Sequence, residues 1–205
     1  MFESLTQRTP KIIDFGEYRK YALSIPLVNI GGKNCVLFEV RARSLAHQPG
    51  EVCLPGGHVE PEEDFRTAAV RETAEELCIS QGDIQVIAPM DMYLSPSGQM
   101  IMPYLVRLLN YHGSFSRQEV DEIFYVPVDF FLKNVPRGYK NHIFTKPDDD
   151  FPEDAVPGGK KYPWRSGWSL VYFYPETCGH RIWGLTAKIM KSAAEIMREA
   201  IENEQ

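Results

Sequence analysis

Apolar and polar residues alternate along several short stretches of the chain, which is the period expected of half-buried β-strands. The glycines of residues 31–33 separate the first two stretches and are typical of a hairpin turn. The strands that this pattern predicts are residues 21–29, 34–40, 51–54, 84–89, 100–109 and 169–174, with 119–124 leading into a further strand at 125–128.

Two other stretches repeat their apolar residues with the period of an amphipathic helix. The first spans about residues 61–78, where Pro61 suits the first turn because proline has no N–H to lose there. The second spans residues 186–203 and closes the chain. Because strands and helices mix without a regular βαβ alternation, we predict an α/β (α+β) fold with a mixed sheet and helices on its faces.

One segment, residues 136–168, lacks this patterning and is rich in Pro, Gly, Asp and Lys. It is either an irregular insertion or a long hairpin arm, and long loops of this kind tend to be functional or mobile. A chain of 205 residues is long enough for one domain with a full core. We therefore predict a single domain over residues 1–205 with an irregular insertion at about 136–168.

Composition and charge narrow the class of protein. The chain is 43% hydrophobic with a net charge of −6, and an acidic protein is not suited to bind a nucleic-acid backbone. The four cysteines lack zinc-ligand spacing and fit free thiols in a reducing compartment. Residues 1–11 carry no secretory signal, and no apolar run reaches the ~20 residues of a membrane span. We expect a cytoplasmic protein without nucleic-acid or membrane partners, and a homodimer stays open.

Three glutamates lie within one turn of the first predicted helix. At about 100° per residue, Glu76 and Glu75 lie about 40° and 60° to either side of Glu72. On this helical projection Arg71 points to the side and Arg66 lies on the apolar flank, so no basic residue offsets the repulsion. A hard divalent cation with oxygen ligands would remove it, and an acidic chain that acts on a phosphate substrate needs such a cation.

An isolated E-x-x-E-E is most often a solvated acidic face, but the surrounding residues resemble the Nudix box, G-x5-E-x7-R-E-U-x-E-E-x-G-U with U apolar. Six of its seven fixed letters are present: Gly57, Glu63, Arg71, Glu72, Glu75 and Glu76. Thr73 replaces the apolar U. Cys78 replaces the second glycine, which normally ends the helix in a left-handed turn where a Cβ costs about 1 kcal/mol or more. Either this turn is strained or the helix ends differently.

The resemblance to Nudix hydrolases implies an α/β/α sandwich in which the box forms a loop–helix–loop. It implies that Glu72 and Glu76 bind the divalent metal, Mg²⁺ or Mn²⁺, with the Gly56 carbonyl as a further ligand. It also implies that Glu63 and Arg71 form a salt bridge that orients the helix.

The chemistry that the resemblance implies is hydrolysis of a nucleoside diphosphate linked to another group, by attack of water on phosphorus. A glutamate accepts the proton of the water. This base comes either from the box, where Glu75 helps to hold the metal or its water, or from a later loop. Glu119 and Glu122 are the later candidates, and the alternative for either one is an ordinary surface acid.

A second motif precedes the box and resembles that of coenzyme A diphosphatases, L-L-T-x-R-[SA]-x3-R-x3-G-x3-F-P-G-G. The residues that match are Leu37, Arg41, Ala42, Gly50, Pro55, Gly56 and Gly57; those that differ are Phe38, Glu39, Ala46 and Leu54. With further similar segments downstream, this resemblance spans about residues 37–190 apart from 136–168. It implies coenzyme A or acyl-coenzyme A as the small-molecule substrate, contacted by Arg41 and Gly57.

The position of Ala46 keeps other substrates open, because an arginine there could hold a phosphate. An ADP-ribose, ADP-sugar or dinucleotide diphosphatase is therefore the alternative. A non-catalytic nucleotide-binding Nudix domain is the third hypothesis, although such domains commonly lose the box glutamates that this chain retains.

Overall fold

The computed structural model describes residues 6–203, which divide after Pro127 into two compact units. In the N-terminal unit the elements are β1 (Arg19–Ile30), β2 (Lys33–Arg41), β3 (Val52–Cys53), β4 (Gly56–His58), α1 (Phe65–Leu77), β5 (Ile84–Pro89), β6 (Tyr93–Leu94), β7 (Gln99–Leu108) and β8 (Val120–Pro127). In the C-terminal unit they are α2 (Val128–Lys133), β9 (Arg137–Ile143), β10 (Gly167–Phe173) and α3 (Gly184–Asn203). None of the helices in residues 6–203 is both long and apolar enough to span a membrane.

The N-terminal unit is built on one mixed sheet of eight strands with the order β3-β2-β1-β7-β5. Strands β1 and β7 run parallel, with Tyr21 opposite Ile101, and the other pairings are antiparallel. In addition β4 pairs with β1, β6 with β7 and β8 with β2. The mixed α+β class that the sequence predicts is therefore confirmed.

Helix α1 lies against this sheet through its apolar side. The buried residues that form the contact belong to one cluster: Val28, Cys35, Leu37, Ala74, Leu77, Ile84, Val106 and Leu108. A smaller cluster joins Ala68 and Ala69 of the helix to Ala22 and Val59. Burying the apolar side in this way turns the glutamates of α1 toward the glycines of β4.

The start of α1 differs from the prediction, since the helix begins at Phe65 rather than at Pro61. Asp64 is the N-cap, and its Oδ1 accepts a 2.7 Å hydrogen bond from the backbone N–H of Thr67. Glu62 has a φ of 68°, a left-handed conformation that a helix does not accommodate. The acidic residues before Asp64 therefore lie in a turn instead of in the first helical turn.

The end of α1 retains the geometry of the glycine that Cys78 replaces. Cys78 is left-handed at φ 51° and ψ 49°. Its N–H donates to the Glu75 carbonyl at 3.3 Å, and the N–H of Ile79 donates to the Ala74 carbonyl at 3.0 Å. These are the two hydrogen bonds of a glycine-type helix cap. Of the two alternatives at Cys78, a strained turn or a different helix end, the structure therefore shows the strained turn.

Thr73 is completely buried, although it occupies an apolar position of the box. Its Oγ1 lies 2.6 Å from the Oγ of Ser24 on β1 and 2.7 Å from the Ala69 carbonyl. The Ser24 hydroxyl is itself 3.3 Å from that carbonyl. Both hydroxyls are thereby hydrogen-bonded inside the interface between helix and sheet, which is the condition for burying them.

In the C-terminal unit β9 and β10 form an antiparallel pair with Arg137 opposite Phe173. Residues 144–166 connect them irregularly, with short 3₁₀ turns at Glu153–Ala155 and Gly159–Lys161. The segment around 136–168 is thus a strand, an irregular connection and the approach to a second strand. That the whole chain forms a single domain stays a prediction.

Candidate active site

The glycine strand β4 allows a close approach that no other residue type would permit. A Cβ on Gly56, whose φ is 146°, would lie 2.3 Å from the Ala22 carbonyl oxygen. A Cβ on Gly57 would lie 2.4 Å from Cδ of Glu72. The two missing side chains therefore let β4 pair with β1 on one side and receive a carboxylate of α1 on the other.

Glu76 is held by this strand directly. The backbone N–H of Gly56 donates to Oε2 of Glu76 at 2.8 Å, and only 5% of Glu76 is exposed. The resemblance implies the carbonyl of Gly56 as a metal ligand, and the structure places Gly56 beside Glu76 through its N–H. The ligand role of the carbonyl stays a prediction.

Most of the charges around Glu76 are negative, like its own. The pKa of Glu76 is raised to about 8, chiefly by burial and in addition by the charges of Glu72 and Glu119, whereas the Gly56 N–H and Arg41 oppose the rise. Burial also raises the pKa of Glu72, while the hydrogen bond from Arg71 lowers it. The site therefore gathers carboxylates that would be more stable in contact with an additional cation.

Arg71 binds three of the box glutamates. Its Nε and Nη2 donate to the two oxygens of Glu63 at 3.0 and 2.9 Å, a bidentate pair that lowers the pKa of Glu63. Its Nη1 lies 2.7 Å from Glu72 and 3.5 Å from Glu75. The prediction that Arg71 points to the side and offsets none of the repulsion among the glutamates is wrong. Arg71 precedes Glu75 by four residues, and its long guanidinium side chain reaches over the turn.

Arg71 also donates to the carbonyl of His58 at 3.1 Å. The Glu63–Arg71 pair thereby links the turn before α1, the helix and the end of β4. The structure thus brings together the two residues that the resemblance assigns to orientation of the helix.

The two later acids differ in position. Glu119 immediately precedes β8, its carbonyl accepts from the N–H of Ala42 at 2.8 Å, and its charge raises the pKa of both Glu72 and Glu76. Glu122 lies within β8 opposite Val40, so its predicted loop position is wrong. Glu119 is the acid that lies near the box glutamates.

Glu75 is 59% exposed at its side chain, as a group that contacts water must be.

Arg41 provides a positive charge that acts on Glu76 and Glu39. It ends β2, and its Nε donates to the carbonyl of His47 at 3.3 Å. Its charge lowers the pKa of Glu76 and of Glu39. A cation at this position can attract the phosphate groups of a substrate.

The sequence interpretation missed Glu39, which lies on β2 and is only 1% exposed. Its Oε1 has no hydrogen-bond partner among residues 6–203. Burial raises its pKa well above the ordinary value, and the charge of Glu76 raises it further. The available signal was one acid within the otherwise apolar run of β2, since buried glutamates are rare without a partner.

The divalent cation that the resemblance implies fits these residues. Carboxylates with raised pKa values and a buried unpartnered oxygen of Glu39 are donors that a cation would satisfy. Within residues 6–203 no three His, Cys, Asp or Glu side chains are already arranged as a ligand set. Mg²⁺ needs fewer, because it typically takes one or two protein carboxylates together with waters and substrate phosphates.

Comparisons with known proteins identify a family and its relatives. A NUDIX domain family model matches residues 18–144, well over half of the chain. The peroxisomal coenzyme A diphosphatase of Mus musculus is 34% identical over 134 residues, 64% of this chain and 56% of that protein. The mitochondrial coenzyme A diphosphatase of Homo sapiens is 27% identical over 181 residues, 86% of this chain and 68% of that protein.

Among solved structures, an Ap4A hydrolase of C. elegans has a TM-score of 0.46 and 23% identity, covering 56% of this chain and 84% of that one. The chain spans about half the length of the first curated relatives, since the mouse alignment covers 56% of that protein.

Proposed function

Because this chain belongs to the NUDIX domain family, we propose that it is a divalent-metal-dependent hydrolase of a nucleoside diphosphate linked to another group. The observation that carries the proposal is that the carboxylates of Glu72 and Glu76 lie against the glycines of β4, where the Gly56 N–H donates to Glu76 at 2.8 Å. Carboxylates of like charge that lie close together are suitable ligands for Mg²⁺ or Mn²⁺.

The residues of the chain divide the work between them. Glu72 and Glu76 hold the cation, and the Gly56 carbonyl adds an oxygen ligand. A bound cation of this kind neutralises phosphate oxygens and lowers the pKa of a water molecule. Glu63 and Arg71 keep the helix and the glycine strand in register, and Arg41 attracts the phosphates while Gly57 leaves space beside them.

The proton of the attacking water passes to a glutamate, and Glu119 and Glu75 are the two candidates. Both are exposed enough to meet water, and Glu119 lies close enough to raise the pKa values of Glu72 and Glu76. Turnover of Glu119→Gln and Glu75→Gln at saturating metal separates them. The base is the residue whose replacement lowers kcat and removes the decrease of kcat at acidic pH, while Mn²⁺ affinity is retained.

Coenzyme A or acyl-coenzyme A is the proposed substrate, with 3′,5′-ADP and 4′-phosphopantetheine or its acyl form as products. The support is the motif that ends at Pro55-Gly56-Gly57, together with relatives that are named coenzyme A diphosphatases. Ala46 favours a second candidate, an ADP-ribose, ADP-sugar or dinucleotide diphosphatase, because that position lacks the arginine of the motif.

A substrate panel tests these proposals. The purified chain is incubated with Mg²⁺ or Mn²⁺ and coenzyme A, acetyl-coenzyme A, ADP-ribose, NADH or a diadenosine polyphosphate, and products are identified by mass. Cleavage of the coenzyme A compounds supports the first candidate. Cleavage of ADP-ribose or a dinucleotide with coenzyme A intact supports the second, and no turnover of any compound supports a non-catalytic binding domain.

We also propose that the protein works in the cytoplasm on a small nucleotide and without a nucleic-acid partner. The net charge of −6 supports the absence of nucleic-acid binding, whereas the relatives are named as peroxisomal and mitochondrial proteins. Imaging of the tagged full-length protein decides its compartment, and light scattering of the purified chain decides whether it forms the homodimer.

A further inference from the structure

Glu39 projects from the side of β2 that faces helix α1. Side chains of a strand alternate between the two faces of a sheet, so Cys35, Leu37 and Glu39 share one face. Cys35 and Leu37 belong to the core cluster that contains Ala74 and Leu77 of α1. Glu39 therefore continues this row toward the helix, beyond the apolar contact.

The carboxylate of Glu39 is deeply buried but accepts few hydrogen bonds. Its residue is 1% exposed, and no donor in the described part of the chain reaches its Oε1. Within residues 6–203 its Oε2 accepts only from the Sγ of Cys53, at 4.0 Å, which is a weak contact. A buried charge is expensive unless it is paired, so this carboxylate calls for a partner with positive charge.

Besides burial, the charges of three residues shift the pKa of Glu39: Glu76, Arg41 and Glu119. Arg41 is the only basic residue among them, and its Nε donates to the His47 carbonyl. Two carboxylates from different elements, Glu39 of β2 and Glu76 of α1, are thus buried in one place. Oxygen donors contributed from two elements are the kind of set that a divalent cation uses.

We propose that Glu39 is a metal ligand of this chain and that a divalent cation binds between its unpartnered Oε1 and the carboxylate of Glu76. The inference rests on the proposed function to the extent that Glu76 is a ligand there. The motif of the coenzyme A diphosphatases has threonine at the position of Glu39, so this chain has one more carboxylate for the cation. We expect it to hold Mg²⁺ or Mn²⁺ more tightly than a chain with a neutral residue at this position.

Binding of Mn²⁺, followed by electron paramagnetic resonance, tests this assignment without any substrate. The dissociation constant is measured for the wild-type chain, Glu39→Gln, Glu39→Thr and Glu76→Gln. Glu60→Gln is the matched control, since it removes one negative charge from the exposed turn before α1. In ¹⁷O-labelled water the broadening of the bound Mn²⁺ signal counts the water ligands. Circular dichroism identifies the variants that fold.

We expect Glu39→Gln and Glu39→Thr to weaken Mn²⁺ binding at least ~10-fold and to add one water ligand, with Glu60→Gln unchanged. Threonine favours a β-strand and is smaller than glutamate, so Glu39→Thr can be measured even if Glu39→Gln does not fold. Wild-type affinity and water count in either folded Glu39 variant would overturn the inference, because loss of a metal ligand must change both. If Glu76→Gln alone lost Mn²⁺, the proposed function would stand without Glu39. A wild-type chain that binds no Mn²⁺ would overturn both.

Discussion

The backbone N–H of Gly56 donates a 2.8 Å hydrogen bond to Oε2 of Glu76, so strand β4 and helix α1 build one site between them. The bond fixes the direction of a carboxylate that is otherwise buried. At the next residue a Cβ on Gly57 would collide with Glu72, so both glycines of β4 are needed for the approach of α1. The proposed metal site thus depends on the backbone of β4 as well as on the side chains of Glu72 and Glu76.

Gly57→Ala is expected to weaken Mn²⁺ binding at least ~10-fold while the fold is retained. The new Cβ would lie 2.4 Å from Cδ of Glu72, and the flexible side chain of Glu72 is the part that moves. Mn²⁺ titration measures the effect. Gly167→Ala is the control, because no atom lies within 4 Å of its added Cβ. Equal affinities in the two variants would show that Glu72 is not held at the glycine.

Metal affinity is expected to rise with pH between 6 and 8. Burial raises the pKa of Glu76 to about 8, and the cation needs the ionised carboxylate, so binding at lower pH displaces a proton. The dissociation constant should fall by up to about tenfold per pH unit. Calorimetry in two buffers of different ionisation enthalpy measures the proton release, and a buffer-independent enthalpy at pH 7 would contradict the prediction.

The raised pKa of Glu76 also affects the stability of the metal-free protein: metal affinity rises with pH, whereas stability falls. A carboxyl group whose folded pKa is raised stabilises the fold below its unfolded pKa and loses that contribution as pH rises through the folded pKa. In EDTA the free energy of unfolding should therefore fall from pH 6 to 8 because of Glu76, and the raised pKa of Glu39 acts in the same direction. The pKa of Glu63 is lowered, so it is ionised throughout this window and adds no slope. Saturating Mg²⁺ should remove the decrease in a urea titration.

Cys78→Gly is expected to stabilise the protein by about 0.5–1 kcal/mol. Cys78 has a φ of 51°, where a Cβ is strained by about 1–2 kcal/mol, and the greater freedom of glycine in the unfolded chain offsets part of this gain. Urea denaturation measures the difference. Cys78→Ala retains the Cβ and should show no comparable gain. Equal stabilisation by alanine would trace the effect to the thiol instead of the backbone.

Ser24 and Thr73 are expected to be energetically coupled. Each single change, Ser24→Ala or Thr73→Val, should lower the free energy of unfolding by about 1 kcal/mol, because one hydroxyl loses a partner 2.6 Å away. The double variant should lose less than the sum by about 0.5–1 kcal/mol. Thermal or urea unfolding of the four proteins closes the cycle, and strict additivity would exclude an interaction between the two hydroxyls.

Much of this site could be predicted from local sequence. The spacing of Glu72, Glu75 and Glu76 on a 3.6-residue period placed them within one turn. The apolar residues on the far side of the helix, Val70, Ala74 and Leu77, indicated the side that packs. The resemblance to the box gave a left-handed helix end as one of two outcomes at Cys78. These predictions rest on short-range geometry, which sequence spacing specifies directly.

What could not be predicted depends on contacts between distant segments. Glu39 lies 37 positions before Glu76, and only the alignment of β2 with α1 brings their charges together. The partner of Thr73, Ser24, lies 49 positions away on β1. The start of α1 at Phe65 depends on Asp64 as a cap, whereas Pro61 and its acidic neighbours offered an equally plausible start in the sequence.

Steady-state hydrolysis of coenzyme A by Glu76→Gln tests the central claim most directly, with Glu60→Gln as the charge-matched control. Products are quantified in Mg²⁺ and in EDTA. If Glu76 holds the cation at the glycine strand, the wild-type chain and Glu60→Gln form 3′,5′-ADP in Mg²⁺ only. Turnover of Glu76→Gln should then fall at least ~100-fold, as expected when a ligand of the metal is lost. Wild-type turnover in Glu76→Gln, or metal-independent turnover in EDTA, would contradict the account.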